Sequence, residues 1–144
     1  MCAVAKTKIA LLILTSAFFL QSAVAQISSA AAAVANDFNV KFDNNQINKI
    51  YDSHVGDFVR SKMTRDSSVS QLSVMRSSLG GGASSRSVIT QQSSTDPSTG
   101  AKVVAIRYQA VFPIGKVYED LSLVEEKPGV WKLYGVFFNP VPVE

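Results

Sequence analysis

The tightest constraint on this chain lies in its last third, where three strand-like runs are separated by turn signals. Residues 102–112, 117–126 and 130–138 each alternate in the manner of a β-strand, and Pro113-Ile114-Gly115 and Lys127-Pro128-Gly129 stand between them. Proline pre-sets φ at the first turn position and glycine accepts a positive φ, so both separators favour tight reversals. Reversals this short produce an antiparallel meander. Such a sheet is not stable alone, and the helical-looking first half is the only material available to cover it.

Parity along the runs shows which side chains need that cover. In the first, Val104, Ile106, Tyr108, Ala110 and Phe112 share a face, while Val103, Arg107, Gln109 and Val111 point away. In the second, Leu121 and Leu123 lie opposite Asp120 and Ser122. In the third, Trp131, Leu133, Gly135 and Phe137 lie opposite Lys132, Tyr134, Val136 and Phe138. Strict alternation therefore predicts an apolar back face made of Val103, Val111, Val136 and Phe138. Each inward leucine or aromatic residue contributes roughly 1.5–3 kcal/mol on burial.

Upstream, a helix is predicted over residues 28–43. Ile27, Ala30, Ala31, Val34, Phe38 and Phe42 recur at three- and four-residue steps within an alanine-rich segment, and Asp43-Asn44-Asn45 is a plausible stop. A second helix should begin with Asn44 or Asn45 as N-cap and present Ile47, Ile50, Tyr51, Val55 and Phe58, with Gly56 as an interruption. A third is expected over 67–79, capped by Thr64 or Asp66, with Val69, Leu72, Met75 and Leu79 on one face and Gly80 at its exit. The stretch 80–85 then reads as a flexible connection. Residues 86–92 form a weak edge strand carrying Val88 and Ile89, and 92–100 an exposed loop. Pro140 and Pro142 argue against further ladder pairing.

The first 25 residues read as an address label. Lys6 and Lys8 precede an apolar run from Ile9 to Leu20, and Ala23-Val24-Ala25 offers the small residues of a cleavage site before Gln26. The run is short for a membrane span, although an N-terminal anchor is the alternative reading. Cys2 precedes the apolar run, which argues against lipidation there. Removing 25 of the 144 residues leaves 119, a single domain without cysteine, since Cys2 is the only one. Disulfides and cysteine-based metal sites are thereby excluded from the mature chain. The expected location is periplasmic or secreted, in a bacterium, with no stable membrane anchor after cleavage. Loss of Lys6 and Lys8 takes the formal net charge from +3 to +1, and the remaining basic residues are scattered. That distribution argues against nucleic acid as a partner.

Three helices, a weak strand and a long meander resemble the nuclear-transport-factor-2-like, or cystatin-like, superfamily, and most closely its small exported bacterial members. The stretches that carry the resemblance are Asn36-Asp37-Phe38, Met75-Arg76-Ser77-Ser78-Leu79-Gly80 with Ser85-Arg86, Val104-Ala105-Ile106-Arg107-Tyr108, and Gly129-Val130-Trp131-Lys132-Leu133-Tyr134-Gly135. The resemblance implies an α+β fold with N-terminal helices packed on a curved antiparallel sheet of about four strands, shaped as a cone with a pocket. It implies that the pocket serves enzymes in some relatives and ligand or protein binding in others. It further implies a homodimer through the outer face of the sheet as one use of the architecture.

No chemical motif stands out. Ketosteroid-isomerase-like proton transfer would require an unpaired carboxylate facing the pocket, for which Asp37 and Asp120 are the candidates, but surface solvation explains both more simply. His54, the only histidine, falls on the apolar side of the second helix, where a hydrogen-bonded core or rim residue is the simpler account. It excludes a multi-histidine metal site, and no Gly-x-Ser-x-Gly elbow accompanies it. The Gly80–Gly82 run follows a helix and lacks the Gly-Lys-Ser/Thr ending of a phosphate loop. Aromatic residues Tyr51, Tyr108, Tyr118, Tyr134 and Trp131 could line a pocket or simply pack, and Arg76, Arg86 and Arg107 could meet an anion or form separate rim ion pairs. From these, Tyr51, Arg76, Tyr108 and Trp131 are taken as candidate ligand-binding residues. No catalytic residue, metal or cofactor is assigned. The expected function is an exported, non-enzymatic binding or interaction domain for a small molecule or partner protein. The alternatives are an isomerase-like enzyme and a homodimeric assembly subunit.

Overall fold

A computed structural model describes residues 26–142; the predicted leader, its cleavage site and Cys2 lie outside them. Among the described residues four helices precede four strands: α1 (Ser29–Asp43), α2 (Ile47–His54), α3 (Asp57–Arg60), α4 (Arg65–Ser78), β1 (Ser85–Thr95), β2 (Lys102–Phe112), β3 (Gly115–Lys127) and β4 (Val130–Pro140). The strands form one antiparallel sheet in the order β1-β2-β3-β4. The fold is α+β, with the sheet curled but not closed.

Local chemistry explains most of the boundaries. Asn45 takes a left-handed φ of 57° after α1, so the N-cap of α2 passes to Gln46 instead of Asn44 or Asn45. α2 stops at His54 with an extended Val55 as its C-cap, and the interruption expected at Gly56 is the N-cap of a new turn. In that turn, α3, the Phe58 N–H donates to the Glu126 carboxylate. The Thr64 hydroxyl accepts from Ser67 N at 3.2 Å and caps α4. Gly80 leaves α4 at φ +81°.

Two expected connections are more ordered than composition suggested. β1 continues to Thr95, so the loop after it shrinks to the turn around Asp96. Its serine, threonine and glutamine side chains bury little, and pairing with β2 extends it through main-chain hydrogen bonds. The Gly80–Gly82 stretch is a packed junction and not a loose linker. A Cβ on Gly82 would stand 2.5 Å from the Asp43 carbonyl oxygen, and Ala83 N–H donates to the Asp43 carboxylate at 2.9 Å.

Three bulges bend the sheet. One residue is left without a cross-strand partner at Ile89 on β1, Glu126 on β3 and Tyr134 on β4. The bulge at Tyr134 corrects the parity reading of β4. Trp131 and Leu133 point inward as expected, but past the extra residue the alternation inverts. Val136 is fully buried, and Phe138 stacks on Phe42 at 5.3 Å and meets Phe112 edge-on at 5.8 Å. The apolar back face predicted from Val103, Val111, Val136 and Phe138 is thus reduced to its two β2 members, of which Val111 is exposed. The core runs from Phe38 and Phe42 of α1 through Leu72 and Met75 of α4 to the concave rows of β2, β3 and β4.

Candidate functional site

The concave side holds a buried charged cluster at the C-terminal end of α1 and an open cavity at its N-terminal end. The cluster is centred on Arg86, the single charged residue of β1. Its Nε donates to Glu119 Oε2 at 2.8 Å, and its two terminal nitrogens grip the Asp43 carboxylate, one of them at 3.0 Å. The guanidinium also lies 5.5 Å from the centre of the Phe112 ring. Arg76 of α4 binds the same corner from the other side, donating to the carbonyls of Phe42 and Asp43 at 2.8 Å each. These are terminal carbonyls of α1, and that of Phe42 also accepts from Asn45 N–H at 3.2 Å, so a cation there complements the helix dipole.

Glu119 is fully buried, and its Oε1 has no hydrogen-bond partner among the described residues. Burial pushes its carboxyl well up, with Arg86 pulling the other way. Tyr108 is its cross-strand neighbour. Burial and the Glu119 charge raise the Tyr108 hydroxyl, opposed by the Asn39 amide and by Arg86.

A second polar group sits where α1 meets α2. His54 Nε2 lies 2.6 Å from Asp37 Oδ2, and Lys41 binds the same carboxylate oxygen. The Lys41 hydrogen bond is the main reason that the Asp37 carboxyl is held low. Burial lowers the His54 pKa, Asp37 opposes this, and Lys41 and Lys132 reinforce it.

The cavity has a volume of about 400 Å³. Val103, Val104 and Trp131 form its apolar side, and Ser28, Ser93, Ser94 and Thr95 are its hydroxyl-bearing residues. Lys102 and Glu125 approach to 3.7 Å at its rim, with Lys102 largely exposed. Ser28, the N-cap of α1, meets the last residues of β1 and the first of β2 there.

The four candidate binding residues are not gathered at one site. Trp131 lines the cavity. Tyr108 faces the interior cluster. Arg76 caps α1. Tyr51 is buried beneath Arg60 and Arg65, whose guanidinium groups lie 4.7 and 5.6 Å from its ring centre. Of the three arginines considered for an anion, Arg76 and Arg86 converge on Asp43, while Arg107 forms a two-pronged pair with Asp120 at 2.6 and 2.8 Å on the outer face. Asp37 and Asp120, the candidate acids, are both ion-paired. Tyr134 stacks on Phe58 at 4.8 Å. Sequence reasoning passed over Asp43 and Glu119. For Glu119 a signal was available, because it shares parity with Val117, Leu121 and Leu123 on an otherwise apolar inward row.

Fold and site together define a small α+β protein, its helices packed on a curled antiparallel sheet with an open polar-rimmed cavity beside Trp131. The chain belongs to the DUF4019 family, described as "Protein of unknown function (DUF4019)", whose family model matches residues 34–136. No curated protein matches the chain. The match takes in the interior cluster and every cavity residue named above except Ser28.

Proposed function

We propose that this protein is an exported binding domain of the nuclear-transport-factor-2-like kind, acting in the periplasm after cleavage before Gln26, and that it takes a small polar ligand in the cavity beside Trp131. The observation that carries the reading is the cavity itself. Its volume of about 400 Å³ falls in the range of small-molecule sites. Its wall combines an aromatic edge with hydroxyl groups and one charge of each sign, which suits a polar neutral or zwitterionic molecule. The other titratable groups on the concave side support binding over catalysis, because Asp37, Asp43 and Glu119 are each engaged by a cation.

Native mass spectrometry of the mature protein purified from its own compartment tests this reading. Trp131 is the only tryptophan, so its emission reports the cavity directly. A bound small molecule that is lost in Ser93→Phe, with Trp131 emission changing on its removal, is the expected result. Protein that carries no small molecule, and whose emission is unmoved by a periplasmic metabolite extract, overturns it.

A proton-transfer enzyme is the second reading, favoured by the buried Glu119 beside Tyr108. It ranks second because Glu119 is fully enclosed, so a substrate could reach it only if the helices opened. Turnover that Glu119→Gln abolishes while ligand binding persists would promote it.

A further inference from the structure

β1 is unlike the other three strands. Of its 11 residues, Arg86, Gln91 and Gln92 are partly covered and the rest are exposed, including Val88 and Ile89 at 53% and 45%. It therefore adds little to the core, and it stays in place through its ladder with β2 and the anchor of Arg86. Among the described residues its other edge has no neighbour in the sheet. Exposed edges are normally defended by charge, proline or shortness. β1 contains no proline and no acidic residue, its one cation is turned inward onto Asp43 and Glu119, and the bulge at Ile89 still leaves Thr90–Thr95 as a regular stretch. β4, the opposite edge, is covered in part by the bridge between Val55 and Leu133 and by the Lys132 ammonium on the Ser53 carbonyl.

We infer that β1 is a pairing edge and that its occupant is β1 of a second copy, joined antiparallel about a two-fold axis into a continuous eight-stranded sheet. Three features favour a second copy over a foreign strand. The stretch Thr90–Thr95 is composed of threonine, glutamine and serine, whose side chains hydrogen-bond well with their own kind across a ladder. Self-pairing opposes no like charges, because the stretch carries none. Capture of a foreign strand draws its selectivity from pockets for alternate side chains, whereas a two-fold contact repeats every favourable pair. In any such pairing the outer-face row of Thr90, Gln92 and Ser94, defined by their partners Arg107, Ala105 and Val103, meets the same row of the partner. Ser93, Ser94 and Thr95 line the cavity, so the two cavities of the dimer would flank the junction.

The six residues Thr90–Thr95 at about 3.4 Å each, with a sheet thickness of about 10 Å, give a contact of roughly 400 Å² in total. That is the size of a weak, concentration-dependent association. The test is sedimentation velocity of the mature protein across a micromolar-to-millimolar range, compared with the double variant Thr90→Lys/Ser94→Lys, whose lysines replace exposed residues and would face each other across the axis. The expected result is a reversible dimer that the double variant weakens at least tenfold. A wild-type protein that is monomeric throughout the range overturns the inference, as does a dimer indifferent to the lysines. Hydrogen exchange of the wild-type protein supplies a readout that requires no variant. The β1 amides should become protected as concentration rises, and concentration-independent exchange along β1 equally overturns the proposal.

Discussion

Arg86 on β1 donates to Glu119 on β3 at 2.8 Å, reaching across a whole strand to do so. The strand it crosses is β2, and the residue paired with Arg86 there is Ala110, whose small side chain leaves room for the guanidinium to pass. One cation therefore joins β1, β3 and the end of α1. Removing it strands a fully buried carboxylate. Arg86→Met is expected to cost about 3–5 kcal/mol in urea unfolding, the range for breaking a buried pair by deleting one partner. Arg86→Met combined with Glu119→Met should recover much of that loss, since no orphaned buried charge remains. A double variant as unstable as the single one would show that the bridge acts through packing alone.

The junction at Gly82 supports the same corner. A methyl group there has to displace the main chain of Asp43, which holds both Arg76 and Arg86. Gly82→Ala is therefore expected to destabilise the fold by about 1–3 kcal/mol, the usual cost of overpacking. Gly81, whose nearest contact for an added Cβ is Pro113 at 3.8 Å, provides the comparison. Replacing it meets only the strain of its positive φ. Thermal unfolding of the two alanine variants checks the difference.

The bulge at Tyr134 makes a prediction opposite to simple alternation. Phe138→Ala removes contacts with Phe42 and Phe112 and should cost about 2–4 kcal/mol. Phe137→Ala, outside the core cluster, should cost less than about 1 kcal/mol. Equilibrium denaturation of the pair decides which parity holds at this end of β4.

Most of the architecture is legible in the residues themselves because it rests on period and turn chemistry. The run 102–112 coincides with β2, and α1 begins within one residue of its expected start, because an alanine-rich stripe and a clean two-residue alternation have few competitors. What escaped was set by tertiary structure. A bulge adds a residue without any local signature, so Phe138 was assigned to the wrong face. β1 was judged by its side chains, yet it is extended by its partner's main chain. Asp43 and Glu119 lie 43 and 33 residues from Arg86, and no spacing rule joins them. Of the site, Trp131 was accessible to reasoning from residue type, whereas the hydroxyl groups around it come from a segment read partly as loop.

The pH dependence of stability is set by two buried groups that act in opposite directions. Glu119 has its folded pKa raised above the ordinary 4.5 by burial, so the folded state holds its proton longer than the unfolded state. Its contribution is fully present below 4.5 and is lost as pH rises through the folded value. His54 has its folded pKa lowered from 6.5 by burial, so the unfolded state binds the extra proton. Its contribution is present above 6.5 and is lost as pH falls towards the folded value. Asp37, held low, loses its contribution only on acidification below 3.8 and does not enter this window. Between 4.5 and 6.5 the two buried groups therefore oppose each other, and the wild-type profile should be flatter than that of either variant. Glu119→Gln leaves the histidine alone, and stability should rise with pH across the window. His54→Gln leaves the carboxyl alone, and stability should fall. Urea unfolding at half-unit pH steps measures both slopes. Parallel profiles for the two variants would mean that neither group titrates between the folded and unfolded states as its surroundings require.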